Sequence, residues 1–397
     1  MKLSKRILEM QESPVRKLVP YATAAKKNGK KVYHLNIGQP DIATPEQFMK
    51  SIKDYDEKVI AYANSQGIDP LIEAIVDYYK NFNINYDYED VLITTGGSEA
   101  LLFSIISLCD PRDEVLVPEP FYTNYNGFGA SVNVGVKPIT TKAEDGFHLP
   151  SKAEIVASIT PKTKAIIFSN PGNPTGVVYT KDELDMLVEI AREHDLFIVS
   201  DEVYREFTYD GETCISMGTY TEDDQRIVLV DSVSKRYSAC GARIGCITSK
   251  NKEFMKNVMK LCQGRLCVAT LEQIGATELY KLPEAYIKEV HAEYNKRRDI
   301  VYNMVAEMDG VICRKPHGSF YVIAKLPVQD AEDFVVWMLT EFDIDNETVM
   351  MAPAEGFYAT PGLGKDEVRI AYMLNSKDLE RAMFILKEGL KKYVETH

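Results

Sequence analysis

Several strand-like apolar runs in this chain end in side chains that could do chemistry. The most suggestive is Ser232-Val233-Ser234-Lys235-Arg236-Tyr237, which follows the run 227–230 and precedes a second run, 244–248. The lysine amine can form a Schiff base with a carbonyl, while the Ser232 and Ser234 hydroxyls and Arg243 could hold an anionic group of the same molecule. Taken alone, the fragment reads more readily as a solvated lysine in a loop. What stands at the other run ends decides between them.

The run 164–168 leads into Ser169-Asn170-Pro171-Gly172-Asn173-Pro174-Thr175-Gly176, two Asn-Pro pairs with glycines that make a rigid, shaped loop. The Asn173 amide, held this firmly, could donate to a phenolic oxygen. The run 196–199 delivers Asp201 and then Tyr204. A carboxylate at the end of a buried strand is costly without a cationic partner, and a protonated ring nitrogen is one. Tyr204 could donate to an oxygen on the same ring.

The run 91–94 opens into Thr95-Gly96-Gly97-Ser98-Glu99, ahead of an apolar helix over 101–108. Two glycines there free backbone N–H groups to face an anion at the positive helix end, although a turn capped by Ser98 fits as well. Tyr122, after the run 114–117, could stack on a flat ring or simply pack beside its prolines.

Short continuous runs alternating with helical patterns imply a mostly parallel sheet buried on both faces. The clearest helix spans 180–194, where Thr180 and Glu183 form a capping box ahead of Leu184, Leu187 and Val188. Ligands of such sheets sit outside the carboxyl ends of the strands, where these residues cluster. Residues 1–44 read as a charged amphipathic segment, an extended piece over 32–37 and the turn Gly38-Gln39-Pro40-Asp41. Gly38 serves either that turn or a close backbone approach to a ligand. Beyond 290, a long charged helix, a β-like piece over 319–324 and two more helices read as a smaller α+β unit.

Composition narrows the function classes. Forty-six Lys and Arg against 59 Asp and Glu give a formal net charge of -13, which argues against nucleic acid and anionic membranes as partners. Seven cysteines without a C-x-x-C predict neither a disulfide framework nor a zinc site, and a reducing cytoplasm. Cys240 and Cys246, near Lys235, read as small buried hydrophobes, since no histidine is near to activate a thiolate. The N-terminal stretch lacks the apolar core of a signal peptide, and no run reaches membrane-span length.

A ring nitrogen, a ring oxygen, an aldehyde and a phosphate together describe pyridoxal 5′-phosphate. At this point the chain resembles the fold-type I pyridoxal-phosphate aminotransferases of class I/II, the family of aspartate aminotransferase. The likeness runs from N-I-G-Q-P-D at Asn36 to V-R-I-A-Y at Val368. It rests on N-P-G-N-P-T-G, D-E-V-Y and S-x-S-K with an arginine eight residues on. It implies a mostly parallel seven-stranded sheet in a large α/β domain (45–290), a small α+β domain (1–44 plus 291–397) and a homodimer with active sites at the interface.

By the same resemblance, Lys235 is the Schiff-base lysine and proton shuttle, and Asp201 pairs with the ring nitrogen. Asn173 and Tyr204 contact the ring oxygen, and Tyr122 stacks on the ring. Gly97, Ser98, Glu99, Ser232, Ser234 and Arg243 surround the phosphate, with Tyr62 reaching it from the neighbouring subunit. Arg369 forks onto the substrate α-carboxylate, and Gly38 closes over the substrate. Ser98 stands where one subgroup of aspartate aminotransferases carries a lysine for the distal carboxylate. Gly264-Arg265-Leu266 matches another subgroup, in which the partner subunit's arginine at the place of Arg265 does that work. The expected reaction moves an amino group between aspartate and 2-oxoglutarate. Alanine or aromatic donors, and a carbon–sulfur β-lyase on the same scaffold, are the alternatives.

Overall fold

The computed structural model describes residues 1–397, the side chain of Glu9 apart. At its centre is a seven-stranded sheet in the order Val91–Thr94, Gly245–Thr248, Ile227–Ser232, Phe197–Asp201, Thr163–Ser169, Glu114–Glu119, Gly135–Thr140. All neighbours run parallel except Gly245–Thr248, which is antiparallel to both strands beside it. Each of the six apolar runs becomes a strand. The seventh, Gly135–Thr140, escapes the run pattern because it lies at the edge. Half of it is exposed and it carries Pro138, whose missing N–H only an edge tolerates.

The runs look continuous because alternate residues fill two cores. Ile166, Phe168, Ile198 and Leu229 pack with Leu71, Ile75, Leu184 and Leu187 on one face. Ala165, Ile167, Val199 and Val230 pack with Leu101, Phe103, Phe254 and Val258 on the other. The helices Asp69–Lys80 and Lys181–Glu193 cover the first face, and Gly96–Leu108 and Lys252–Arg265 the second. The capping box expected at Thr180 and Glu183 is present in both directions.

A third apolar cluster joins Leu18, Val32 and Leu35 to Val301, Phe320, Phe334 and Leu386. The strand Lys31–His34 pairs in parallel with Glu347–Met350. Beside it, Ala352–Pro353, Glu367–Ala371 and Tyr321–Lys325 form an antiparallel sheet with Glu367–Ala371 in the middle. Among the described residues no helix is long and apolar enough to cross a membrane.

Candidate active site

The carboxyl ends of the parallel strands open onto one cavity of about 390 Å³. Gly97 and Ser98 follow Val91–Thr94, Tyr122 follows Glu114–Glu119, and Asn173 follows Thr163–Ser169. Asp201 ends its strand, with Tyr204 beyond it, and Ser232, Ser234 and Lys235 follow in the next. Arg243 arrives by the opposite route. It precedes an antiparallel strand, whose start at Gly245 lies beside Thr94 and Ser232, where its neighbours end. With Gly38 and Arg369, twelve of the fifteen residues expected at the site line this cavity.

Lys235 sits in a one-turn helix, Val233–Arg236, capped by the Ser232 hydroxyl, which accepts from the Ser234 N–H. Its Nζ donates to the Gly38 carbonyl at 2.7 Å and lies 3.8 Å from Cys240 Sγ. Cys246 is buried as expected, but Cys240 is only half-buried, because it lies on the segment to Arg243 and lines the cavity with it. Gly38 answers to close approach rather than to left-handed backbone. A Cβ there would stand 1.8 Å from the Tyr321 hydroxyl.

Asp201 is buried, accepts from the Tyr125 hydroxyl at 3.2 Å and has no cationic partner among the described residues. Burial pushes its carboxyl up to about 7, against weaker hydrogen bonds from Val203 and Tyr125. Arg243 reaches only carbonyls, Cys240 at 3.1 Å and Thr95 at 3.4 Å. A buried carboxylate lacking a cation and an arginine lacking an anion fit a group with a protonated ring nitrogen and a phosphate. The backbone is shaped for it. Gly96 has φ +71, and a Cβ there would meet the Arg243 guanidinium at 2.5 Å.

Arg369 is carried on Glu367–Ala371, and burial lowers its pKa. It donates to the Asn36 carbonyl at 2.6 Å and to Asn173 Oδ1 at 3.3 Å, and its buried Nε has no partner. Its guanidinium lies over the Tyr321 and Phe357 rings, 4.4 and 4.9 Å from their centroids. A cation so stacked, with a donor free, suits a planar carboxylate.

Three expected residues stand outside the lining. The Glu99 carboxylate caps its own helix by accepting from the Thr95 N–H at 2.7 Å and pairs with Arg265 at 2.8 Å. Arg265 also donates to the Ser65 carbonyl at 3.0 Å. Tyr62 is 81% exposed, and Val59, Ile60 and Leu266 are exposed as well. The sequence reading missed Tyr321, Tyr125 and Arg16. Tyr321 lies inside a β-like piece with nothing to separate it from core aromatics, yet its hydroxyl is 3.1 Å from that of Tyr204.

Known proteins share both sequence and architecture with this chain. The family model for aminotransferase class I and II matches residues 30–386. Aspartate aminotransferase of Bacillus subtilis is 31% identical, with all of both chains covered. Aromatic-amino-acid aminotransferase 2 of Thermococcus litoralis is 31% identical over 99% of each. The solved alanine aminotransferase of Pyrococcus furiosus, also 31% identical, superposes with a TM-score of 0.89 over 98% of this chain and 100% of that one. A family match across most of the length, on the same sheet and with lysine, aspartate and two arginines in one cavity, means that the chain belongs to the class I and II aminotransferases, the family of pyridoxal-phosphate-dependent transaminases.

Proposed function

We propose that this aminotransferase binds pyridoxal 5′-phosphate in the 390 Å³ cavity and transfers amino groups between aspartate and 2-oxoglutarate. The observation that carries the reading is the convergence of Lys235, Asp201, Arg243 and Arg369 on that cavity, where Asp201 lacks a cation, Arg243 lacks an anion and Arg369 keeps a donor free. Bound there, the cofactor would supply an aldehyde carbon and an electron-withdrawing pyridinium ring.

The residues divide the remaining work. Asp201 holds the proton on the ring nitrogen, and Tyr125 keeps its carboxylate in place through the 3.2 Å hydrogen bond. Asn173 and Tyr204 would hold the ring oxygen, and Tyr122 would stack on the ring. Gly97, Ser98, Ser232, Ser234 and Arg243 would hold the phosphate. Arg369 grips the α-carboxylate and so orients the substrate's Cα–H bond. Lys235, with its amine free, would take the proton from Cα and would deliver it across the substrate nitrogen to the cofactor's former aldehyde carbon. The Gly38 carbonyl, 2.7 Å from Nζ, steers that amine.

We assign residues 45–290 to a large domain and 1–44 plus 291–397 to a small one, supported by the apolar cluster that Leu18, Val32 and Leu35 share with Val301 and Phe334. A homodimer accounts for the exposed Val59, Ile60, Tyr62 and Leu266. Tyr62 would then reach the neighbouring phosphate. Arg265 could meet a neighbouring substrate only by releasing Glu99. The seven free cysteines suit a reducing cytoplasm.

Aspartate and aromatic donors both appear among the relatives' names, and dicarboxylates suit the excess of cations in the cavity. Steady-state rates over a panel of amino acids with 2-oxoglutarate test the choice, with aspartate expected to lead. Borohydride should fix the cofactor to wild type and leave Lys235→Ala unlabelled and without turnover. Labelling of the variant would remove Lys235 from its role. Pyruvate and thiol released from cystathionine with no oxo-acid acceptor would favour a β-lyase instead.

A further inference from the structure

Charge in the cavity is unbalanced. Lys235, Arg16, Arg243 and Arg369 line it against one carboxylate, Asp201. Under the proposed function the cofactor occupies Lys235, Arg243 and Asp201, and the α-carboxylate occupies Arg369. Arg16 remains. Its guanidinium makes no side-chain hydrogen bond and no ion pair among the described residues, and the residue is exposed while lining the cavity.

Arg16 is not on a loose tail. The segment before residue 18 is tied on one side by Arg6 to the Ser131 carbonyl at 2.9 Å and by Gln11 to Asn126 at 3.4 Å. On the other side Lys17 pairs with Glu332 at 2.6 Å. Ser13 and Val15, flanking Pro14, line the same cavity. The buried Asn36 sets the register. Its amide donates to the Val15 carbonyl at 3.1 Å, and its own carbonyl accepts from Arg369 at 2.6 Å. One residue therefore positions both the α-carboxylate arginine and the peptide next to Arg16.

We propose that Arg16 binds the second carboxylate of a dicarboxylic substrate and sets the enzyme's preference for such substrates. The inference rests on the dicarboxylate reading above and names the group responsible. A guanidinium offers a paired fork of donors to a carboxylate, and the pair strengthens as ligand and strap exclude water. Arg265 competes poorly, because Glu99 and the Ser65 carbonyl already hold it outside the cavity.

The test uses the cofactor-loaded enzyme and the variants Arg16→Gln, Arg16→Lys and Arg265→Gln. For Arg16→Gln, KM for aspartate and 2-oxoglutarate should rise about tenfold or more, and KM for alanine and pyruvate less than about threefold. Arg16→Lys should fall between it and wild type. Calorimetric titration with maleate, a dicarboxylate that cannot be transaminated, should show the same weakening. Equal changes for both substrate types would make Arg16 a structural strap residue and overturn the inference. So would a dicarboxylate-specific loss confined to Arg265→Gln. A wild-type enzyme that turns over no dicarboxylate would instead overturn the proposed substrates, and this inference with them.

Discussion

Arg236 Nη2 donates to Asp231 Oδ2 at 2.8 Å, so that a buried ion pair closes the turn carrying Ser232, Ser234 and Lys235. Asp231 also accepts from Arg205 at 3.0 Å, Arg205 pairs with Glu202 at 2.8 Å, and Arg236 pairs with Glu206. Glu202, Arg205, Asp231 and Arg236 are buried, the Glu206 side chain is 7% exposed, and the Tyr78 ring lies 4.3 Å from the Arg236 guanidinium. The reactive lysine thus stands on a turn fixed from below by charge, while the cavity lies above.

Removing one partner from such a network leaves its counter-charges buried and unpaired. Arg236→Met should cost about 3–5 kcal/mol of stability, read by urea unfolding of the cofactor-free protein. A loss under about 1 kcal/mol would mean that water reaches the network.

The Asp201 carboxyl holds its proton to about pH 7 in the folded chain, against 3.8 ordinarily, because it is buried. Between these values the folded state binds more protons than the unfolded one, so its contribution to stability falls as pH rises and then levels off above 7. Cofactor-free Asp201→Asn should therefore gain on wild type from pH 4 to pH 7, by on the order of 4 kcal/mol in all. Parallel unfolding curves across that range would show the carboxyl ionised throughout.

Gly245 lies against the phosphate-side backbone. A Cβ there would come within 2.6 Å of the Gly96 carbonyl carbon and 2.8 Å of both the Gly97 nitrogen and the Asp231 oxygen. Gly245→Ala should cost about 1–3 kcal/mol and weaken cofactor binding. Gly241→Ala, with nothing within 4 Å of its new methyl, should do neither. Similar behaviour of the two would show that the sheet can shift there.

The exposed Ile60 and Tyr62 should lie in a subunit interface. Ile60→Glu should shift the sedimentation coefficient from dimer toward monomer and lower turnover. A monomeric wild type of full activity would leave Tyr62 without its role.

Strand ends were legible because a buried parallel strand must be largely apolar along its length, so the polar residues that follow it are conspicuous. Asp201, Lys235 and the loop of Asn173 all announce themselves in this way. Gly135–Thr140 did not, since an edge strand is half-solvated and needs no such pattern. Glu99 followed its glycines into the expected set, but in a helix the residue after Ser98 turns away, toward Thr95 and Arg265.

By itself the sequence determined six strands of the sheet, their chemically loaded ends and the aminotransferase family, because those follow from local periodicity and from motifs held within a few residues. Only the tertiary structure decided which cations share one cavity. Arg16, Asn36, Tyr321 and Arg369 lie far apart in the chain and meet through packing and hydrogen bonds that no local pattern records. Whether a charge is free or already paired depends on those meetings, which is why Arg265 reads as available in the sequence and is found bound to Glu99 in the fold.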